Sequence, residues 1–186
     1  MIMKKKSLLI SALVLVLAMA VFGTLAFFTA EDDATNIITM GNIKILLIDD
    51  TLDDEEEPVP FPEAGVPAMP GTTVDKIVQV KNVGDNPAYV RVKLTPALAP
   101  VVEGFGGLIT FAADTANWEK IGDWYHYKYV LAKGDTTPAL ITQVVFSNTM
   151  GNDYQDAVYT LLVEAQGVQS ENNGTGYADA AGWPTP

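Results

Sequence analysis

Few side chains in this chain could carry chemistry, and their scarcity bounds what it can do. It has one histidine, His126, and no cysteine. A zinc hydrolase normally supplies three protein ligands and a general base. Here that set would be His126 plus carboxylates, with no H-E-x-x-H segment to arrange them. A serine nucleophile would need the same histidine, and neither Ser147 nor Ser170 lies in a G-x-S-x-G turn. Gly104, Gly106 and Gly107 do not sit between a strand and a helix, so no phosphate loop is formed. The residues point to no catalytic group and no cofactor.

Two other groups could bind instead of react. Asp49, Asp50, Asp53 and Asp54 open the run DDTLDDEEE. Carboxylates are the hard ligands that calcium prefers, but the spacing is not that of an EF-hand loop. A solvated acidic loop is the default, with those four aspartates as weak metal candidates. Tyr125, Tyr127 and Tyr129 recur two apart and would share one strand face. Such a face could meet sugar, peptide or another subunit, or it could be half-buried packing.

The N-terminal stretch sets where these groups operate. Lys4, Lys5 and Lys6 precede an apolar run over residues 8–21, and Thr24 and Ala26 then offer a small-residue processing site before Phe27. Residues 1–26 therefore read as an export signal. The competing reading is a retained anchor, since residues 8–28 approach the roughly 20 apolar residues of a membrane span. The polar AEDDATN that follows is not a basic stop-transfer flank, which favours cleavage. In both cases the remainder is exported, to the cell surface or beyond, and touches membrane only through an uncleaved signal.

Composition agrees. The chain carries 11 basic and 23 acidic residues, a net charge of −12, and losing the three N-terminal lysines takes it to −15. That sign excludes nucleic acid, which is bound by neutralising phosphates. It keeps an exported protein soluble and lets acid or divalent cations promote association by relieving self-repulsion. About 160 residues would remain, one domain with enough chain to bury a core without disulfides.

Strand patterns then arrive every ten to twenty residues with no full-length amphipathic helix. Residues 43–48, IKILLI, form the first, followed by a long loop over 49–70 that five prolines keep irregular. Residues 74–81 place Val74, Val78 and Val80 on one face, and a turn at 82–87 leads to a return strand over 89–94. On that strand Arg91 is a candidate for an ion pair. Residues 96–107 look irregular, 108–111 a short strand, 118–120 and 123–131 a pair about Gly122, 140–147 a strand and 158–168 the last long one. The expectation is an all-β, antiparallel β-sandwich over residues 42–170. Before it, residues 27–41 have no obvious partner strand. They are a candidate donor strand, with Phe27, Phe28, Ile37 and Ile38 as apolar contacts, or a tail folded on its own domain. After it, residues 171–186 should be flexible apart from an anchoring of Trp183.

The segment GTLAFFTAEDDATNIITMGNIKILLID resembles the TasA/camelysin family of exported proteins processed by SipW-type signal peptidases. PGTTVDKIVQVKNVGDNPAYVRVKL at residues 70–94, WYHYKYVLAKGDTTPAL at 124–140 and VYTLLVEAQGVQSENN at 158–173 are similar to the same family. The resemblance implies a jelly-roll sandwich, a dedicated SipW-type peptidase as processing partner, and a bacterial fibre subunit that polymerises with copies of itself by donor-strand addition in a biofilm matrix. The camelysin branch is described as metallopeptidase, which His126 alone supports poorly. A monomeric surface binding module is the remaining alternative.

Overall fold

The computed structural model describes residues 28–31, 34–39 and 43–184, the first two as strand paths without side chains. The expected signal segment, with Thr24, Ala26 and Phe27, lies outside the described residues, as do the side chains of Phe28, Ile37 and Ile38. Thirteen strands run in order: β1 (Phe28–Glu31), β2 (Ala34–Thr39), β3 (Ile45–Leu52), β4 (Pro58–Pro60), β5 (Val66–Ala68), β6 (Thr73–Asp75), β7 (Ile77–Asn82), β8 (Ala88–Ala99), β9 (Ile109–Phe111), β10 (Trp118–Ile121), β11 (Trp124–Tyr127), β12 (Gln143–Phe146) and β13 (Val158–Gln169). Two short 3-10 turns, Phe105–Gly107 and Asn152–Tyr154, are the only helical pieces among the described residues.

The protein is all-β with largely antiparallel sheets. A seven-stranded sheet runs β10-β11-β8-β13-β1-β5, with β2 also on β13; two three-stranded sheets run β6-β12-β9 and β4-β3-β7. One hydrophobic cluster lies between them, to which β3 gives Ile45 and Leu47, β7 Val78 and Val80, β8 Val90 and Val92, β12 Val144 and Phe146, and β13 Leu161 and Val163. The strict alternation of buried with half-buried residues on β7, and of buried with exposed ones on β12, follows from side chains pointing to opposite faces of a strand. Gly167 of β13 lies close against Ile43 and Ile45. A Cβ there would stand 3.1 Å from Ile45 Cγ2 and 3.2 Å from Ile43 Cγ2.

Several expectations are corrected. Strands β7 and β8 exist where the alternation puts them, but they are not a hairpin. β7 pairs with β3, whereas β8 pairs with β11 and β13, so the 83–87 turn carries the chain between sheets. The proline-rich stretch 49–70 is not one irregular loop: β3 runs on to Leu52, β4 returns against it, and β5 pairs with β1. Prolines fit there because β4 and β5 are edge strands, where a missing N–H costs no ladder bond. Residue Pro96 lies within β8 opposite Leu161, beyond Lys93 where β11 stops pairing. The Gly122 hairpin is present, with β11 ending at Tyr127.

The C-terminal tail also departs from expectation. Asn173 Nδ2 donates to the carbonyls of Gln169 and Ala181, and Asp179 accepts from the Thr175 and Gly176 amides. Tyr177 donates to Glu119 on β10. Trp183 is anchored as expected, against Arg91.

Candidate assembly interface

Strand β13 is the spine of the large sheet, and its two edges are treated differently. Along one it pairs with β8 over its whole length, from Val158↔Ala99 to Gln169↔Ala88. Along the other, among the described strands, it pairs with β1 and β2. β1 pairs in parallel at Thr29↔Val158, Ala30↔Tyr159 and Glu31↔Thr160, and β2 in parallel from Val163↔Ala34 to Gly167↔Thr39. The two-sided burial of β13 explains its apolar composition: Tyr159, Leu161, Val163 and Ala165 face the core, with Leu162 half-buried between them.

The segment fills a slot as well as an edge. β5 pairs antiparallel with β1 at Phe28↔Ala68, Thr29↔Pro67 and Ala30↔Val66, and among the described strands it pairs with nothing else. β1 therefore joins β13 to β5, and its main-chain groups are used on both sides. Of the two alternatives for residues 27–41, the described strands β1 and β2 lie on this chain's own domain, paired with strands that were not obvious from the neighbouring sequence. Their partners were invisible locally because Thr29 and Val158 are far apart in sequence.

The outer face of the same sheet carries a second, polar cluster. The Arg91 guanidinium lies 4.3 Å from the ring centroids of both Trp124 and Trp183, stacked between two indoles. Its Nε and Nη2 donate to Gln166 Oε1 at 3.0 and 2.7 Å. The expected acidic partner of Arg91 is thus an amide and two rings. His126 packs edge-on to Trp183 at 5.4 Å, is 4% exposed, and its Nδ1 has no hydrogen-bond partner among the described residues.

Burial, and secondarily the Arg91 charge, hold the His126 pKa below its ordinary value, against smaller opposing pulls from a hydrogen bond with the Tyr177 backbone and from the Glu119 charge. The unfolded chain then binds a proton below about pH 6.5 that the folded chain refuses. The contribution of neutral His126 is intact above that value and is lost as pH falls towards the lower folded pKa. Melting temperature should therefore drop as pH is lowered through this window, and His126→Phe should flatten that part of the profile. An unchanged slope in the variant would refute the assignment.

Of the tyrosines, Tyr125 and Tyr127 pack against the core, while Tyr127 meets Trp118 at 5.4 Å and the exposed Tyr129 edge-to-face at 5.6 Å. The acidic candidates disperse. Asp53 Oδ1 accepts from the Glu55 and Glu57 amides, closing its own turn. Asp49 is buried against Lys76 instead of standing beside Asp50, Asp53 and Asp54. No group of three His, Cys, Asp or Glu side chains able to hold a metal occurs among the described residues. Ser147 Oγ bonds to Thr149 and Ser170 Oγ to the Pro87 carbonyl, neither to His126.

No family model matches the chain, and no curated protein or solved structure matches it.

Proposed function

We propose that this protein is an exported structural subunit of a cell-surface or biofilm-matrix fibre, of the TasA/camelysin type, built on a jelly-roll-like sandwich. In this reading a SipW-type peptidase cleaves the signal after Ala26, and the freed segment leaves its own sheet to complete that of the next copy. It has no catalytic role.

The observation that carries the proposal is the position of β1 and β2. An element from the chain end, used as an added strand along the edge of β13 and clasped by β5, can be supplied by a neighbour with the same main-chain bonds. Exchange of an identical element preserves those contacts, so its main cost is association. Passed head to tail, such an exchange does not close and generates filaments. Within one chain the short tether favours self-docking through its effective concentration, about millimolar for short linkers. High local concentration, or screening of the negative charge, shifts the balance towards the polymer.

Electron microscopy of the mature protein beside a chain lacking residues 28–39 tests this. Filaments are expected from the first and only monomers from the second. A synthetic peptide of residues 28–39 should bind the deleted chain and raise its melting temperature. Normal filaments from the deletion would end the proposal. So would a mature protein that stays monomeric at every concentration and at acid pH, the outcome expected of a monomeric binding module.

A further inference from the structure

We propose that Lys76 and Asp49 become joined by an amide, an intramolecular isopeptide crosslink between neighbouring strands inside the core. Nζ of Lys76 lies 2.7 Å from Oδ2 of Asp49, and the two side chains are only 3% and 6% exposed. Their burial follows from strand periodicity. Ile43, Ile45 and Leu47 face inward, so position 49 does too; Val74, Val78 and Val80 face inward, so position 76 does too. Asp49 stands opposite Val78 in the ladder, which puts residue 76 on its diagonal, within reach of a long side chain.

The surroundings suit condensation better than a lasting ion pair. The Phe61 ring covers the ammonium at 4.1 Å, and the Phe61 amide donates to the Asp49 carbonyl, fixing that cover. Asp49 Oδ1 is buried with no hydrogen-bond partner among the described residues. A carboxylate with an orphaned oxygen is costly in a dry site, and so is the ammonium beside it. Moving one proton from Lys76 to Asp49 removes both charges and leaves a neutral amine against a neutral acid. Those are the reactive forms, already in contact, and fixed proximity replaces a bimolecular encounter.

The step balances without a co-reactant. The Nζ lone pair attacks Cγ and forms the N–C bond. Oδ2, hydrogen-bonded to the nitrogen, carries the acid proton, takes a second from nitrogen and leaves as water when its bond to Cγ breaks. Oδ1 remains as the amide oxygen, a neutral acceptor whose lack of a partner costs less than that of a carboxylate oxygen. Nothing is oxidised or reduced. The product ties β3 to the Lys76 crossing between β6 and β7, where the Lys76 amide also bonds the Thr142 carbonyl. The crosslink is independent of fibre assembly and belongs to the single chain.

Intact mass spectrometry of the purified protein tests the crosslink directly. The expected mass is one water below that of the sequence, and a proteolytic digest should yield a branched peptide joining residues 49 and 76. Lys76→Met and Asp49→Ala should each abolish the deficit and the branch. A wild-type mass equal to that of the sequence, with linear peptides holding unmodified Lys76 and Asp49, overturns the proposal. A water lost at any other site does the same. Mass and branch are both measured on the wild-type chain, so the result stands even where a variant fails to fold.

Discussion

Asn82→Ala should lower the free energy of unfolding by about 3–5 kcal/mol, as several buried polar groups lose their partners at about 1–3 kcal/mol each. The Asn82 side chain is fully buried and uses every part of its amide. Nδ2 donates to the Asn86 carbonyl at 2.9 Å and the Leu131 carbonyl at 3.0 Å, and Oδ1 accepts from the Gly84 amide at 2.9 Å. The residue also ends β7, opposite Ile45. One side chain thus holds the point where the chain leaves one sheet, crosses in a tight turn and enters the other as β8. Alanine leaves the buried Gly84 N–H and the Asn86 carbonyl without these partners, and strips one of two donors from the Leu131 carbonyl, which keeps its bond from the Ala88 amide. Asn82→Asp should be no milder, because it keeps the acceptor but removes both donors and adds a charge. Urea denaturation should show the midpoint falling with the slope unchanged, the signature of lost stability in a native state of the same compactness. Asp85→Ala is the control in the same turn. Its bond to Lys133 is short, 2.6 Å, but both side chains are largely exposed, so losing the pair should barely move the midpoint. A loss at Asn82 no greater than that at Asp85 would refute its role.

The same turn shows how far sequence reasoning reaches. Alternation located β7, β8 and β13, because period-two burial is written in the side chains themselves. Pairing was less legible. A cluster such as Asn82-Val83-Gly84-Asp85-Asn86-Pro87 reads as a hairpin connection, yet hairpin and inter-sheet crossing use the same turn residues. What distinguishes them is the destination of the Asn82 amide, a contact with Leu131 that no local window contains. Lys76 is hidden for a different reason. Charge suggests an outward side chain, whereas the parity of Val74, Val78 and Val80 requires an inward one, and parity prevails. Asp49, grouped with the acidic loop by composition, follows the parity of Ile45 and Leu47 for the same cause.

Beside β13, the sequence marked residues 27–41 as a candidate donor strand or a folded-back tail, but the strands that pair with residues 28–31 and 34–39 lie elsewhere in the chain. Parallel pairing with β13 needs a long connection, and here nearly the whole domain supplies it. Composition misleads about the tail, since its order comes from Trp183 on Arg91 and Tyr177 on Glu119, contacts to β8 and β10.

Trp118→Ala should be the most damaging single change at the opposite edge of the large sheet, costing about 3–5 kcal/mol as expected for removing a buried tryptophan. Trp118 begins β10, is only 2% exposed, and plugs the core where β10 would otherwise be a thin outer strand. Its indole N–H donates to the Pro138 carbonyl at 3.2 Å, and its ring meets Tyr127 at 5.4 Å. Alanine would leave a cavity bordered by Tyr127 and an unpaired carbonyl. Trp118→Phe keeps much of the ring and loses only the donor, so it should cost less, and the difference between the two separates packing from hydrogen bonding. Neither change touches β13, β1 or β5. If assembly runs through that slot, both variants should polymerise normally at temperatures well below their melting points, with filaments of unchanged appearance. If the aromatic face of β11 were the subunit contact instead, loss of the Trp118 ring that supports Tyr127 should abolish filaments while the chain is still folded. Thermal melts and electron microscopy on the same samples therefore separate a stability residue from an interface residue.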